Sequence, residues 1–528
     1  MVSRGLTLLL GCIALLAGTL PAQGAGVTQK SARPIRLVVA LVVDQMRPDY
    51  LDRFRSEWRG GFAMLLREGI FFRNAEQDHS VTETAPGHAT MMTGRSPASV
   101  GIVSNDLGVP DLLSPLIGSS ATGASPRRFV GTTLFDWMLA RDPSMRVLSV
   151  SRKDRGAILT IGRAKVPVFW FSRGLFTTSR WYGDTLPTWV TAWNARDAVG
   201  HFRGSAWTLE RPASSYPEAD DRPFELNGSG NLFPHVMPTD WAAAAIEIER
   251  QPVMDSLTLD FTLTGVRRLG LGLRDGVDFL SLSLSTTDVV GHRWGPGSRE
   301  MHDQLLKLDR YLGRFFDSLA TIVPPDQMIV TLTADHGITE FPEAGAGGRI
   351  SLSEQVRALN AYGRAKWRLE LGAGSEVGLL FGDIDALTRR GVNTDSLADV
   401  LAADISQVPG VERVFTHHSL AAAKVNDLVA MRWRRQVPAG FGWFVAAVAK
   451  KDYIWNSGKT ETSHGTTNPD DVLVPLLFRV PGLAPRRIER TVRTIDLAPT
   501  LAALLGIRPT ERVEGVPLPE LFGRRPTR

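Results

Sequence analysis

Five apolar runs constrain the fold of this chain more than any other feature of its sequence. They occupy residues 37–43, 147–150, 279–284, 328–332 and 472–478. Because the runs are continuous rather than strictly alternating with polar residues, they suit strands that are buried on both faces. Such strands belong to parallel sheets that helices cover on each side. The sequence therefore predicts an α/β fold with a doubly wound, mostly parallel sheet.

Helical patterns lie between the apolar runs. Residues 61–68 and 299–319 carry apolar side chains at helical spacing. Residues 497–505 follow Asp496, a candidate N-cap, and stop before Gly506, which suits a helix end. This alternation of strands and helices supports the doubly wound arrangement.

Three of the apolar runs lead directly into an aspartate. Asp44 ends the first run, Asp288 comes shortly after the third, and Asp335 follows the fourth. Ligands of open α/β sheets bind at the carboxyl ends of the strands. The fold therefore predicts that these three carboxylates meet at one edge of the sheet.

Three histidines accompany these aspartates. His336 directly follows Asp335, His292 lies four residues after Asp288, and His464 occurs in a polar loop. Three carboxylates and three imidazoles are what two adjacent zinc ions would take as ligands. Taken singly, each histidine also suits a structural role, but the combination indicates a two-metal phosphoryl-transfer site.

Thr84 adds a hydroxyl to this set. It lies in the segment 82–88, Thr-Glu-Thr-Ala-Pro-Gly-His, where Pro86 suits the first turn of a helix. A helix N-terminus favours an anion, and coordination to zinc would lower the pKa of the hydroxyl and make it a nucleophile. Thr82 is the alternative nucleophile, and a simple helix cap is the alternative role. His88 is expected to buttress the site.

With these residues in this order, the chain resembles the alkaline phosphatase superfamily, in the branch that uses a threonine nucleophile. The T-x-P-x-H signature of that branch is matched at residues 84–88. The resemblance implies two zinc ions per chain, with ligands in two groups: Asp288, His292 and His464 for one ion, and Asp44, Asp335, His336 and Thr84 for the other. It also implies that Asn105 binds the phosphate group.

Two subfamilies share these features: the nucleotide pyrophosphatase/phosphodiesterases and the periplasmic phosphate monoesterases of the PafA type. Residues 146–155 resemble the S-x-K-x-R motif of the monoesterases, with Ser151, Lys153 and Arg155 in register. A monoester dianion carries one more charge than a diester, and two cations can compensate it. A basic surface turn is the alternative role of this segment.

The resemblance thus implies a phosphate monoesterase, an alkaline phosphatase that forms a phosphothreonine intermediate. A nucleotide pyrophosphatase/phosphodiesterase is the alternative enzyme, and a phosphate-binding pseudo-enzyme is the alternative that is not an enzyme. The expected partners are small-molecule phosphate esters, bound by a monomer. Nucleic acid is not expected, because the net charge of +5 is small for 528 residues and no run of Lys and Arg is interleaved with aromatic residues.

The first residues read as a secretory signal peptide, taken as 1–25, with a short positive start, an apolar stretch and small residues near its end. An uncleaved membrane anchor is the alternative. Cys12, the single cysteine of the chain, is expected to belong to the apolar stretch rather than to a lipid anchor. The mature protein is expected to be periplasmic or secreted and to have no membrane span.

The remaining chain, 26–528, is expected to form one catalytic domain. Two long stretches, at about 156–273 and 337–459, hold none of the candidate metal ligands. They are interpreted as insertions that cap the site.

Overall fold

The computed structural model describes residues 33–228, 230–456, 458 and 460–522. The expected signal peptide, with Cys12, lies outside these residues. In the described part of the chain, no helix has both the length and the apolar character that a bilayer span requires.

The strands of the described residues are numbered in chain order: β1 Leu37–Val43, β2 Ile70–Glu76, β3 Val147–Ser151, β4 Val168–Ser172, β5 Leu175–Thr177, β6 Ala206–Trp207, β7 His235–Val236, β8 Asp278–Leu284, β9 Met328–Thr333, β10 Gly348–Arg349, β11 Gly374–Glu376, β12 Leu379–Phe381, β13 Val411–Phe415, β14 Trp443–Ala449, β15 Tyr453–Ile454, β16 Leu473–Arg479, β17 Arg486–Ile488 and β18 Val492–Arg493.

The α-helices follow the same order: α1 Pro48–Arg53, α2 Gly61–Glu68, α3 Thr84–Met91, α4 Pro97–Val100, α5 Leu134–Arg141, α6 Asp154–Leu159, α7 Thr188–Asn194, α8 Ala198–Phe202, α9 Trp241–Glu247, α10 Val253–Leu269, α11 Thr286–Trp294, α12 Arg299–Ala320, α13 Ser353–Tyr362, α14 Ile384–Arg389, α15 Thr394–Ile405, α16 His417–Ala422, α17 Leu428–Gln436, α18 Pro469–Val472 and α19 Leu497–Leu504.

The central sheet has the strand order β17-β2-β16-β9-β1-β8-β3-β4-β5, and β18 also pairs with β2. Neighbouring strands run parallel except where β5 or β16 takes part. The five predicted runs form β1, β3, β8, β9 and β16. A mostly parallel sheet is therefore confirmed, although the fifth run is antiparallel to its neighbours.

Every residue of β1, β8 and β9 is buried. Side chains alternate between the two faces of a strand, so both faces of the sheet centre are covered. Burying a Val, Leu or Ile side chain contributes about 1.5–3 kcal/mol, which makes this layer the main apolar core. The continuous apolar runs of the sequence follow from this two-sided burial.

One predicted helix start differs in detail. Asp496 does not cap α19 with its side chain, because a 3₁₀ turn, Thr494–Asp496, precedes that helix. Its carboxylate instead accepts hydrogen bonds from the backbone N–H of Arg493 at 3.1 Å and of Val516 at 2.9 Å. The carboxylate therefore ties the approach to the helix to the C-terminal loop.

The two stretches interpreted as insertions have different structures. Within 337–459, strands β11, β12, β13 and β14 form a separate antiparallel sheet in the order β11-β12-β14-β13. This inserted sheet and its helices bury their own apolar cluster. Within 156–273, β4 and β5 extend the central sheet, and α10 packs against β3 and β8. That stretch therefore contributes to the core as well as to the surface.

Candidate active site

The carboxyl ends of the central strands bring the candidate residues to one edge. Asp44 directly follows β1, and Asp335 lies two residues beyond the end of β9. Helix α11 begins just after β8, which places Asp288 in its first turn and His292 one turn later on the same face. Because β16 is antiparallel, its amino end lies at this edge, and His464 lies in the loop before α18, the short helix that leads into β16.

Two overlapping groups of side chains have the spacing that a metal ion requires. The ligand atoms of Asp44, Asp335 and His336 lie within 4.8 Å of one another, and so do those of Asp288, His336 and His464. His292 is close to the second group, with Nε2 3.4 Å from Asp288 Oδ1. All six expected ligands are thus neighbours, and His336 lies between the two groups.

The three histidines share one orientation, with Nδ1 against a backbone carbonyl oxygen: His292 with Thr462 at 2.8 Å, His336 with Gly337 at 2.9 Å, and His464 with Thr82 at 2.7 Å. A carbonyl accepts from Nδ1–H, so Nε2 of each ring keeps its lone pair. Burial also lowers the pKa of His464 well below its usual range, which favours the neutral ring. Metal-binding histidines are commonly oriented in this way.

One of the buried carboxylates at this edge, that of Asp44, lacks sufficient hydrogen-bond donors. Asp44 is fully buried, and apart from an ion pair with Lys153 Nζ at 2.8 Å its side-chain oxygens have no hydrogen-bond partner. Burial, together with the charges of Asp288 and Asp335, raises the pKa of Asp44 to about 6. Buried negative charge that is only partly compensated costs several kcal/mol, so this cluster of carboxylates fits the binding of cations.

Lys153 supplies one positive charge to this group. Its Nζ lies 2.6 Å from Asp288 Oδ2, 2.8 Å from Asp44 Oδ2 and 3.2 Å from Thr84 Oγ1. Burial works to raise the pKa of Asp288, but Lys153 and His292 hold it well below its usual value. The lysine therefore lies among the carboxylates, where it also reaches the candidate nucleophile.

Thr84 is the first residue of α3, and its Oγ1 lies 3.4 Å from His336 Nε2. The alternative hydroxyl, on Thr82, donates to the carbonyl oxygen of Thr466 at 2.8 Å. Gly87 lets this helix approach the end of β9, since a Cβ there would overlap the carbonyl oxygen of Asp335. The N-terminus of this helix therefore packs directly against the expected metal ligands.

His88 supports the same contact from one turn further along α3. Its Nδ1 lies 3.1 Å from Asp335 Oδ2 and 2.9 Å from the carbonyl oxygen of Thr84. Its Nε2 lies 2.9 Å from Ser283 Oγ on β8. The ring thus connects α3 to the ends of two strands, which is the arrangement expected of a buttress.

The residues expected to bind phosphate lie around Thr84. Asn105 Oδ1 accepts a hydrogen bond from the backbone N–H of Ala85 at 2.9 Å, which leaves the Asn105 side-chain NH₂ group available as a donor. Lys153 precedes α6 directly, and Arg155 lies in its first turn. Arg155 Nε is buried without a hydrogen-bond partner, and Nη1 is 3.7 Å from Asp154. These donors suit an anion.

Gln45 is part of the site but was not identified from the sequence. Its backbone N–H donates to Asp335 Oδ1 at 3.1 Å, and its side-chain amide donates to Asp288 Oδ1 at 3.0 Å. The residue has a φ of +67°, which directs both groups toward the carboxylates. Gly291 leaves the space that the Gln45 side chain occupies. The only available signal was its position directly after Asp44.

Glu83 was also missed. It lies just before Thr84 and is buried, and its Oε2 accepts a hydrogen bond from the backbone N–H of Asn105 at 2.8 Å. This bond fixes the Asn105 segment against the start of α3. Burial raises the pKa of Glu83.

Comparisons with known proteins identify the family of the chain and agree with its fold. The family described as type I phosphodiesterase / nucleotide pyrophosphatase matches residues 38–470. The chain is 30% identical to alkaline phosphatase PafA of Elizabethkingia meningoseptica over 95% of this chain and 97% of that protein. It is 31% identical to alkaline phosphatase PhoV of Synechococcus elongatus, over 91% of each chain.

The fold also matches that of a solved structure. The crystal structure of alkaline phosphatase PafA matches with a TM-score of 0.84 at 28% identity, covering 92% of this chain and 99% of that chain. Both the expected resemblance and the predicted alkaline-phosphatase-like fold are confirmed.

Proposed function

Because this chain belongs to the type I phosphodiesterase / nucleotide pyrophosphatase family, we propose that it is a two-zinc phosphate monoesterase with Thr84 as its nucleophile. Its relatives named alkaline phosphatase make it a phosphoester hydrolase. The observation that carries the finer proposal is the position of Thr84 Oγ1. It lies at a helix N-terminus, 3.4 Å from His336 Nε2 and 3.2 Å from Lys153 Nζ.

The residues that would hold the metals form two sets: Asp288, His292 and His464, and Asp44, Asp335 and His336 with Thr84. The shortage of hydrogen-bond donors around Asp44 and the position of each histidine, whose Nδ1 faces a backbone carbonyl and leaves Nε2 toward the cluster, support this assignment. Zinc bound there would supply positive charge that lowers the pKa of the Thr84 hydroxyl and stabilises the leaving oxygen.

The chain itself positions the reacting groups. Thr84 Oγ1 forms the new bond to phosphorus as the bond to the leaving alcohol breaks, which gives a phosphothreonine that water then hydrolyses. The Asn105 amide, held by Ala85 N–H, donates to a non-bridging oxygen. Amides at the start of α3 add further positive potential for the phosphoryl group.

Lys153 and Arg155 support a monoester rather than a diester as the substrate. Lys153 Nζ already contacts Thr84 Oγ1, and Arg155 Nε has no protein partner. Two cations near one phosphoryl group suit a dianion better than a monoanion. The family description favours the second candidate, a phosphodiesterase or nucleotide pyrophosphatase.

The proposal extends to the location and form of the protein. The signal-like sequence at 1–25 supports export to the periplasm or secretion. We expect one catalytic domain per chain and a monomer, with the inserted sheet beside the site.

A direct rate comparison tests the proposed activity. The zinc-loaded protein is assayed with a phosphate monoester and with the methyl diester of the same alcohol, and Thr84→Ala serves as the inactive control. The expected result is a higher kcat/KM on the monoester. A higher kcat/KM on the diester would assign the chain to the second candidate function.

A further inference from the structure

The turn between β11 and β12 reaches the active site from the inserted sheet. We call residues 376–378, Glu-Val-Gly, the hairpin tip. The side chain of Val377 packs on Gly465, the residue after His464. Glu376 is hydrogen-bonded to Asp106, the residue after Asn105. The tip therefore touches the neighbours of a candidate metal ligand and of a candidate phosphate-binding residue.

The hairpin tip has a backbone that its surroundings must hold in place. Val377 has a φ of +38°, a left-handed conformation that a β-branched residue rarely adopts. The next residue, Gly378, accepts a hydrogen bond from Ala447 N–H on β14 at 2.8 Å and packs under the Trp455 ring. Strained residues held by their neighbours in this way cluster at functional sites.

The hairpin tip also adds negative charge beside the phosphate-binding residues. Three carboxyl groups lie near Asn105: Glu83 accepts from its backbone N–H, Asp106 follows it in the chain, and Glu376 is bonded to Asp106. Burial, followed by the charges of Glu83 and Asp106, raises the pKa of Glu376 to about 8. At neutral pH Glu376 is therefore mostly protonated unless a cation compensates the negative charge around it.

An ammonium group on a substrate matches this pair. It can take the place of the proton on Glu376, so that the Glu376 carboxylate is ionised and paired with the ammonium group. A carboxylate on the substrate would instead be repelled by the carboxyl groups already clustered near Asn105. Asp106 is exposed and Glu376 is half-buried, so a substrate can reach both.

We propose that the hairpin tip forms the wall of the site that receives the alcohol part of the substrate, and that Glu376 with Asp106 selects for alcohols that carry an ammonium group. This inference rests on the proposed phosphatase function and deepens it by naming a substrate class. The favoured substrates are phosphate esters of amino alcohols, and the disfavoured ones are phosphate esters of hydroxy acids.

Three esters with two-carbon alcohols test the selection. They are ethanolamine phosphate, 2-hydroxyethyl phosphate and phosphoglycolate, which differ in the charge at one end. The wild type should give its highest kcat/KM, relative to intrinsic reactivity, on ethanolamine phosphate. In Glu376→Gln, the ratio of kcat/KM for ethanolamine phosphate to that for phosphoglycolate should fall about fivefold to tenfold, the size expected for one partly screened charge.

Two further variants make the result specific. Asp106→Asn, at an exposed position, should lower the same ratio even if Glu376→Gln folds poorly. Glu412→Gln removes an exposed carboxylate from β13 of the same inserted sheet and should leave the ratio unchanged. Equal changes on all three esters in Glu376→Gln and Asp106→Asn would overturn the proposal, because they would show a structural role without charge selection.

The experiment distinguishes a failure of the proposed monoesterase function from a failure of charge selection. If the wild type prefers diesters, the chain is not a monoesterase, and the same three-way comparison is made with the methyl diesters of the three alcohols. A fall in the ammonium-to-carboxylate ratio there still supports charge selection by the hairpin tip, and an unchanged ratio overturns it.

Discussion

Lys153 Nζ lies 2.6 Å from Asp288 Oδ2, inside the set of side chains expected to bind metal. The same ammonium lies 2.8 Å from Asp44 Oδ2. All three groups are buried. Lys153 therefore has two possible partners at this site, the aspartates and a phosphoryl group, and metal binding decides between them because bound metal would neutralise the aspartates.

We predict that Lys153→Met destabilises the protein in the presence of a chelator and increases its affinity for zinc. Removing one partner of a buried ion pair costs about 3 kcal/mol, because the carboxylates remain without compensation. The Lys153 ammonium group also competes with zinc for these carboxylates, so its removal should raise the affinity for zinc about tenfold or more. Denaturant unfolding with chelator and competition with a zinc-binding dye measure the two effects. Lys451→Met, at an exposed position, is the matched control and should change neither. Unchanged unfolding in Lys153→Met would show that the ion pair contributes no net stability.

Thr84→Ala should abolish turnover while zinc binding is largely retained. The reason is that the hydroxyl provides the nucleophile, whereas the six Asp and His ligands are untouched. Steady-state rates and metal analysis of the purified protein check this together. Thr82→Ala should keep most activity, since that hydroxyl is bonded to the Thr466 carbonyl. If Thr82→Ala lost its activity and Thr84→Ala kept it, Thr82 would be the nucleophile instead.

Gln45→Met should weaken zinc binding about 10-fold to 100-fold, the range typical for loss of a residue that orients metal ligands. The variant removes the amide that donates to Asp288 and keeps a side chain of similar length. Its backbone bond to Asp335 remains. Competition titrations with a chelator measure the affinity. If affinity is unchanged, Asp288 is positioned without this bond.

Asp255 provides a pH-dependent prediction. It is buried below the start of α11, where it accepts hydrogen bonds from Thr286 and Gln304. Burial raises its pKa to about 6. Because the folded pKa lies above the unfolded value, Asp255 stabilises the fold fully below about pH 4, and that contribution is lost as the pH rises through 6.

The free energy of unfolding of Asp255→Asn minus that of the wild type should therefore become more positive between pH 4 and pH 7, by up to about 3 kcal/mol. Urea unfolding in the presence of chelator measures it at each pH. Asp399→Asn, an exposed substitution on α15, should show no such trend. A difference that does not vary with pH would mean that Asp255 titrates near its ordinary value.

The strand ends were predictable, because apolar runs that lead into Asp44, Asp288 and Asp335 specify both the sheet and the edge that carries the carboxylates. The direction of β16 was not, since a continuous apolar run has the same composition in either direction. The role of Gln45 depends on a left-handed backbone that a non-glycine residue does not reveal in sequence. The contact of Glu376 with Asp106 depends on how the inserted sheet docks. Local pattern carries no information about such docking.

The last prediction concerns Lys153 and Arg155, which distinguish a monoesterase from a diesterase. If both contact the non-bridging oxygens of a monoester, hydrogen bonds to charged groups worth about 1.5–3 kcal/mol each are lost when both become alanine. Monoester kcat/KM should then fall by about two to four orders of magnitude. The fall on the matched methyl diester should be much smaller, because the diester lacks the extra charged oxygen. The double variant should therefore shift its preference toward diesters. Equal losses on both esters would assign these side chains a general role in structure or binding, and the proposal of a monoesterase would lose its main support.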